Sequence, residues 1–140
     1  MNIEYTKDIT KITTDMLDGG FFVGWPNPPD TNMHLRILKN SYVAYAAINT
    51  DTHKVIGFIN AVSDGVLSAY IPLLEILPKY QGKGIGDNLV RLMLDELEDL
   101  YMVDVCHDPE LSVYYAKFGA HQEVRASIFR NFHAQSGKLP

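Results

Sequence analysis

The apolar positions of this chain run at two different spacings. From Leu67 to Leu77 the chain is an almost continuous apolar run, closed by Pro78, which predicts an extended strand. Beyond it, Ile85, Leu89, Leu92, Met93, Leu97 and Leu100 recur at three and four, which predicts an amphipathic helix from Ile85 to Leu100. Upstream, Tyr42 to Ile48 and Lys54 to Val62 read as strands joined by the turn Asn49-Thr50-Asp51-Thr52-His53. Ser63-Asp64-Gly65 turns the chain again into Val66 to Leu77, so three strands form an antiparallel meander. Thr31 reads as the cap of a helix through Leu35, Ile37 and Leu38 that ends before Asn40.

The ends of the chain extend this plan. Met1 to Lys7 reads as a first strand with Ile3 and Tyr5 on one face. Thr13-Thr14-Asp15 opens a short helix stopped at Gly19-Gly20. Met102 to Cys106 reads as a short buried strand, parallel to its predecessor across the helical crossover. His107-Asp108-Pro109 turns into a helix from Glu110 to Phe118, which Gly119 ends. Ala120 to Val124 and Ser127 to Phe132 read as two closing strands, and residues 133–140 as a tail without periodicity. The expected fold is α/β in the α+β sense. A mixed, mostly antiparallel sheet of about six or seven strands is flanked by about four helices. Pro72, inside the third strand of the meander, marks a bulge or break in pairing, because proline donates no ladder bond. Residues 1–140 suit one domain.

Chemistry concentrates where the period changes. Gln81-Gly82-Lys83-Gly84-Ile85-Gly86 lies between a strand and a helix N-terminus. The first amides of a helix have no partner inside it, and the helix dipole adds positive charge at that end. Glycines let a ligand approach the backbone, so a phosphate or pyrophosphate is the natural occupant. The loop is not a P-loop, since Gly84 follows Lys83 where a Ser or Thr would be needed. The dinucleotide fingerprint fails as well. What remains is Q-x-x-G-x-G directly after a strand.

At this point the sequence resembles the GCN5-related N-acetyltransferase (GNAT) superfamily, whose acetyl-CoA pyrophosphate loop reads [QR]-x-x-G-x-[GA]. A second likeness is Tyr114-Tyr115-Ala116-Lys117-Phe118-Gly119, similar to that family's Y-x-K-x-G. Together the two motifs cover Leu67 to Ala120. The resemblance implies a splay between the fourth and fifth strands, entered by the pantetheine arm, with backbone groups of Leu74 and Ile76 facing it. It implies cofactor contacts from Gln81, Gly82, Lys83, Gly84, Ile85 and Gly86. It also places Asp108 where the family often has Asn, and Ala120 where it often has Phe. Tyr115 falls on the tyrosine that protonates the leaving thiolate; by helical spacing alone, Tyr114 and Tyr115 would be packing residues.

The implied reaction is acetyl transfer from acetyl-CoA to a primary amine through a ternary complex. The acceptor would be a small-molecule amine or a protein amine. Glu75 is the carboxylate nearest the cleft by sequence and reads equally as the base or as a residue that faces solvent or holds a structural partner. The backbone N–H of Ile76 is placed to serve a tetrahedral oxyanion. Phe21, Phe22 and Trp25 read either as plugs at the core edge or as a wall of the acceptor pocket. A non-catalytic CoA-binding module of the same fold, acting as sensor or partner protein, and a nucleotide-phosphate binder are the competing functions.

Composition narrows the partners. A net charge of −5 argues against broad binding to nucleic acid. No apolar run reaches the length of a membrane helix, and the N-terminus lacks a signal pattern. Cys106 is the single cysteine, expected to be buried, and a reducing cytoplasm fits it. The histidines at 34, 53, 107, 121 and 133 form no ligand spacing, so no metal is expected, and His107, at a strand end, reads as structural in preference to catalytic. A monomer or a homodimer is expected.

Overall fold

The computed structural model describes residues 1–138. Its five strands form one sheet in the order β1-β2-β3-β4-β5. They are β1 (Ile3–Thr6), β2 (Val43–Asn49), β3 (Lys54–Ser63), β4 (Ser68–Ile76) and β5 (Met102–Asp104). The first four pair antiparallel, and β5 pairs parallel with the start of β4. The α-helices are α1 (Thr31–Asn40), α2 (Ile85–Glu96) and α3 (Ser112–Ala116).

The central strands β2 and β3 are buried on both faces. On one face α2 packs Ile85, Leu89, Val90 and Met93, all buried at its three-and-four spacing. On the other, Leu38 and His34 of α1 meet Phe58, Leu17, Phe21 and Phe22. Asp30, not Thr31, caps α1: its carboxylate accepts from the Met33 amide at 2.9 Å.

Pro72 does sit in a bulge. Tyr70 pairs with Val62 and Leu73 with Asn60, so Ile71 and Pro72 together face Ala61 alone. Beside that bulge β5 leaves the sheet. Its register covers Ser68 to Tyr70 and ends there, so Pro72 to Ile76 have no neighbour on that side. The sheet is therefore splayed between β4 and β5.

Several expectations are corrected. Residues 120–124 and 127–132 form no strands; all are exposed, and the sheet ends at β5. The strand count is therefore five among the described residues, with three α-helices. The helix from Ile85 stops at Glu96, where Leu97 closes the last turn through bonds to Asp95 and Met93 carbonyls. The segment expected as a helix from Glu110 is a 3-10 turn at Pro109–Leu111 followed by the short α3. The turn expected as a helix near Thr14 is also 3-10. Strand β5 is short and its residues half-buried or exposed, and Cys106 is exposed beyond it. No helix among the described residues is long and apolar enough to cross a membrane.

Candidate active site

The splay opens a cleft of about 590 Å³. One wall is the end of β4, with Leu74 and Ile76. The floor is the glycine loop and first turn of α2, with Gln81, Gly82, Gly84, Ile85, Gly86 and Asp87. The far wall is Leu111, Tyr114 and Tyr115.

The backbone of β4 presents hydrogen-bonding groups to this space. The Leu77 amide donates to the Ile56 carbonyl at 2.9 Å, so Leu77 faces β3. Strand alternation then turns the N–H and C=O of Leu74 and Ile76 toward the gap. Gln81 confirms the direction, since its Nε2 donates to the Ile76 carbonyl at 3.0 Å. That bond ties the loop back to the strand and occupies the side chain expected to reach a cofactor.

The loop itself is built for an anion. Gly82 and Gly84 adopt left-handed conformations, φ +75° and +83°, and a Cβ on either would meet nothing within 4 Å. The space above them is open to a ligand. The first bond into α2 runs from the Asn88 amide to the Gly84 carbonyl, leaving the amides of Ile85, Gly86 and Asp87 unpaired. Asp87 would repel an anion there, but the Lys117 ammonium lies 2.9 Å from its carboxylate. Lys83 and Asp108 do not line the cleft. The Asp108 side chain makes no capping bond at the 3-10 turn it precedes.

The two tyrosines differ in surroundings. The Tyr114 hydroxyl lies 3.3 Å from where a Cβ on Gly86 would stand. Lys117 sits over its ring at 4.4 Å. Burial, then the nearby Asp87 carboxylate, raise its pKa. Tyr115 stacks on His107, with ring centroids 4.8 Å apart and planes at 23°. Burial alone raises its phenol, and among the described residues its hydroxyl has no hydrogen-bond partner. The His107 ring is thus a support for Tyr115, a pairing the sequence did not reveal because seven residues separate the end of β5 from the start of α3. Tyr80 and Leu111 also line the cleft without a motif to announce them.

Glu75 lies outside the lining of the cleft, on the opposite face of β4. It pairs with Phe58, whose ring meets Phe21, Phe22 and His34 on the α1 side. Its Oε1 accepts the backbone N–H groups of Phe22 and Val23. Burial pushes the Glu75 carboxyl above its ordinary value, and those two donated bonds oppose the shift. Glu75 therefore anchors the loop in which Phe22 holds a left-handed φ of 65°. Phe21 and Phe22 are buried against His34 and Phe58, whereas Trp25 is 38% exposed and packs on Phe22 at 5.0 Å. Only Trp25 of the three offers surface. A smaller hollow of about 80 Å³ lies on this side, lined by Asp30 and His34 among others. Among the described residues no cluster of His, Cys, Asp and Glu could hold a metal ion.

The chain was compared with known proteins. The model of the acetyltransferase (GNAT) family matches residues 10–120. A crystal structure from Deinococcus radiodurans R1, assigned as an acetyltransferase, superposes with a TM-score of 0.92 at 39% identity, covering 99% of this chain and 94% of that one. A GNAT family protein from Streptococcus pneumoniae TIGR4 superposes with a TM-score of 0.68 at 25% identity, covering 93% and 97%. An uncharacterized N-acetyltransferase of Gracilaria tenuistipitata var. liui is 31% identical over 69% of this chain and 55% of its own length. The chain spans about half the length of the curated relatives it matches.

Proposed function

Because the chain belongs to the acetyltransferase (GNAT) family, we propose that residues 1–140 act as a single acetyl-CoA-dependent N-acetyltransferase domain whose acceptor is a primary amine. The observation that carries this reading is the cleft beside the bulge. There the free amides of Ile85, Gly86 and Asp87 meet an unpaired strand edge and the Tyr115 phenol, which has no partner among the described residues. The residues fit the donor. Open space over Gly82 and Gly84 admits a pyrophosphate against the α2 amides. The gap-facing groups of Leu74 and Ile76 suit an extended amide-bearing arm, held as an added strand would be. Acetyl-CoA, when bound, supplies an acyl group activated as a thioester.

The residues then divide the work. The amine must lose a proton before it can attack, and Glu75, held above its ordinary carboxylate range by burial, takes that proton directly or through water. The Ile76 N–H stabilises the oxyanion of the tetrahedral intermediate. Tyr115 gives its proton to the sulfur as the carbon–sulfur bond breaks, and regains one from solvent. Its raised pKa keeps it protonated at neutral pH, as a donor must be. Trp25 contributes to the acceptor side. No covalent intermediate on the protein is required, and the exposed Cys106 takes no part.

The anchoring of Phe22 and Val23 by Glu75 favours a second reading, in which the same cleft binds CoA without catalysis. One experiment separates these. The melting temperature is recorded with CoA and with ATP, and thiol release from acetyl-CoA is followed against a panel of small amines and lysine peptides. Stabilisation by CoA and not ATP, with amine-dependent thiol release, supports the enzyme. Stabilisation without release supports the binding module. Equal stabilisation by ATP would sink both.

A further inference from the structure

The loop that carries Trp25 has few backbone donors to hold it. In Pro26-Asn27-Pro28-Pro29 three residues lack an N–H, so Asn27 supplies the only amide donor. That amide is claimed from far along the chain. It donates to Oε1 of Gln135, 108 positions on, at 2.8 Å.

Gln135 is half-buried and is itself fixed. It follows the 3-10 turn Phe132–Ala134, and its own amide donates to the Phe132 carbonyl at 3.1 Å. The Gly137 amide then donates to the Ala134 carbonyl at 3.0 Å. Gly137 stands close to α1, since a Cβ on it would lie 3.3 Å from the Met33 methyl. Lys138 reaches Asp30, the cap of α1, at 2.8 Å, but both side chains are exposed and the pair holds little. Of the tail's contacts with the loop and its cap, the Gln135 bond is therefore the one that fixes backbone.

Trp25 stands between two holds. Upstream, Glu75 accepts the amides of Phe22 and Val23. Downstream, Gln135 accepts that of Asn27. Between them Gly24 turns the chain at φ +84°, and the Trp25 amide donates to the Phe22 carbonyl at 3.1 Å. Pro26 has a fixed φ, so holding Asn27 leaves Trp25 few alternatives. The indole packs on Phe22 and keeps an exposed face.

We propose that Gln135 is a positioning residue for the acceptor: by holding Asn27 it stations Trp25, two residues back, as a wall against which the amine binds. This inference rests on the acceptor role proposed above for Trp25. The donor cleft is lined by none of residues 21–30 or 132–138, so the effect falls on the amine and not on acetyl-CoA.

Trp25 is the chain's only tryptophan, so its fluorescence reports the hold directly. Two variants of the full chain form the test. Gln135→Met keeps the length of the side chain and removes the acceptor oxygen, whereas Gln135→Glu keeps an oxygen for Asn27. Acrylamide quenching of the tryptophan is measured beside steady-state thiol release, using the amine of the panel that wild type acetylates fastest. In Gln135→Met, quenching should strengthen and the KM for the amine should rise about 3- to 10-fold, as loss of one hydrogen bond implies. The kcat, the KM for acetyl-CoA and the melting temperature should stay as in wild type. Gln135→Glu should restore both wild-type quenching and the wild-type amine KM. Wild-type quenching in Gln135→Met would overturn the hold on Trp25. Altered quenching with an unchanged amine KM, or with an equal rise in the KM for acetyl-CoA, would overturn the role in acceptor binding. A wild-type chain that releases no thiol with any amine would sink the proposed chemistry, and the acceptor role with it, while altered quenching would still establish the hold.

Discussion

Tyr114 and Tyr115 are neighbours about 100° apart around one short helix, and their hydroxyls face different company. Tyr114 sits beside Gly86 and Asp87 with Lys117 over its ring, while Tyr115 stacks on His107 with its hydroxyl unclaimed among the described residues. Tyr115→Phe should lower turnover by about 10²–10⁴-fold, the usual worth of general-acid help, with CoA affinity and melting temperature unchanged. Tyr114→Phe should change turnover far less. Equal losses in steady-state thiol release would mean that the donor has been misassigned. Glu75 calls for a substitution that keeps its anchoring bonds. Glu75→Gln retains an oxygen to accept from Phe22 and Val23, so the loop should persist while the base is lost. Because burial raises the Glu75 carboxyl, wild-type turnover should fall as pH drops through a value above the ordinary carboxylate range. The variant should be slow at neutral pH, lack that limb, and recover partly at high pH; an unchanged profile would assign the proton to another group.

At the level of elements, the turn from β4 into α2 was the most legible part of the sequence. Glycine spacing, a preceding apolar run and a three-and-four pattern all pointed to the same joint. The structure adds that Gly84 needs φ +83°, which a β-branched residue scarcely adopts. Gly84→Val should therefore abolish CoA binding by calorimetry, through strain in the loop and a side chain over the α2 amides, while circular dichroism still reports a folded chain. Helix α2 also holds the core: Leu89 is fully buried, and Leu89→Ala should cost about 2–5 kcal/mol in urea unfolding. Other parts were not legible. Residues 120–124 and 127–132 were expected as strands and form none: a strand also needs a partner, and no window of sequence states where one stands. The anchoring of a loop by Glu75 joins residues more than fifty positions apart, so no spacing could announce it. The helix expected from Glu110 was cut short because Pro109 opens a 3-10 turn before α3 begins.

For the molecule as a whole, acid should be destabilising through one buried ring. His34 is 1% exposed among Phe21, Phe22 and Phe58, and its Nε2 has no partner among the described residues. Burial lowers its pKa from 6.5 to about 4. The unfolded chain then binds a proton below pH ~6.5 that the folded chain refuses, so stability falls as pH drops from there toward 4. The loss reaches about 3 kcal/mol at the lower end. Urea midpoints measured across this window should fall in the wild type and fall less in His34→Phe; parallel slopes would remove His34 from the account. A different kind of consequence follows from Pro72. Without it, Ile71 would pass directly to Leu73, every pair with β3 would keep its register, and the strand would run straight beside β5. In genetic terms, one codon separates a sheet that admits a ligand from one that is closed to it. In-frame loss of codon 72 should thus yield a folded protein that CoA no longer stabilises, a lesion that deletes a function by completing a fold.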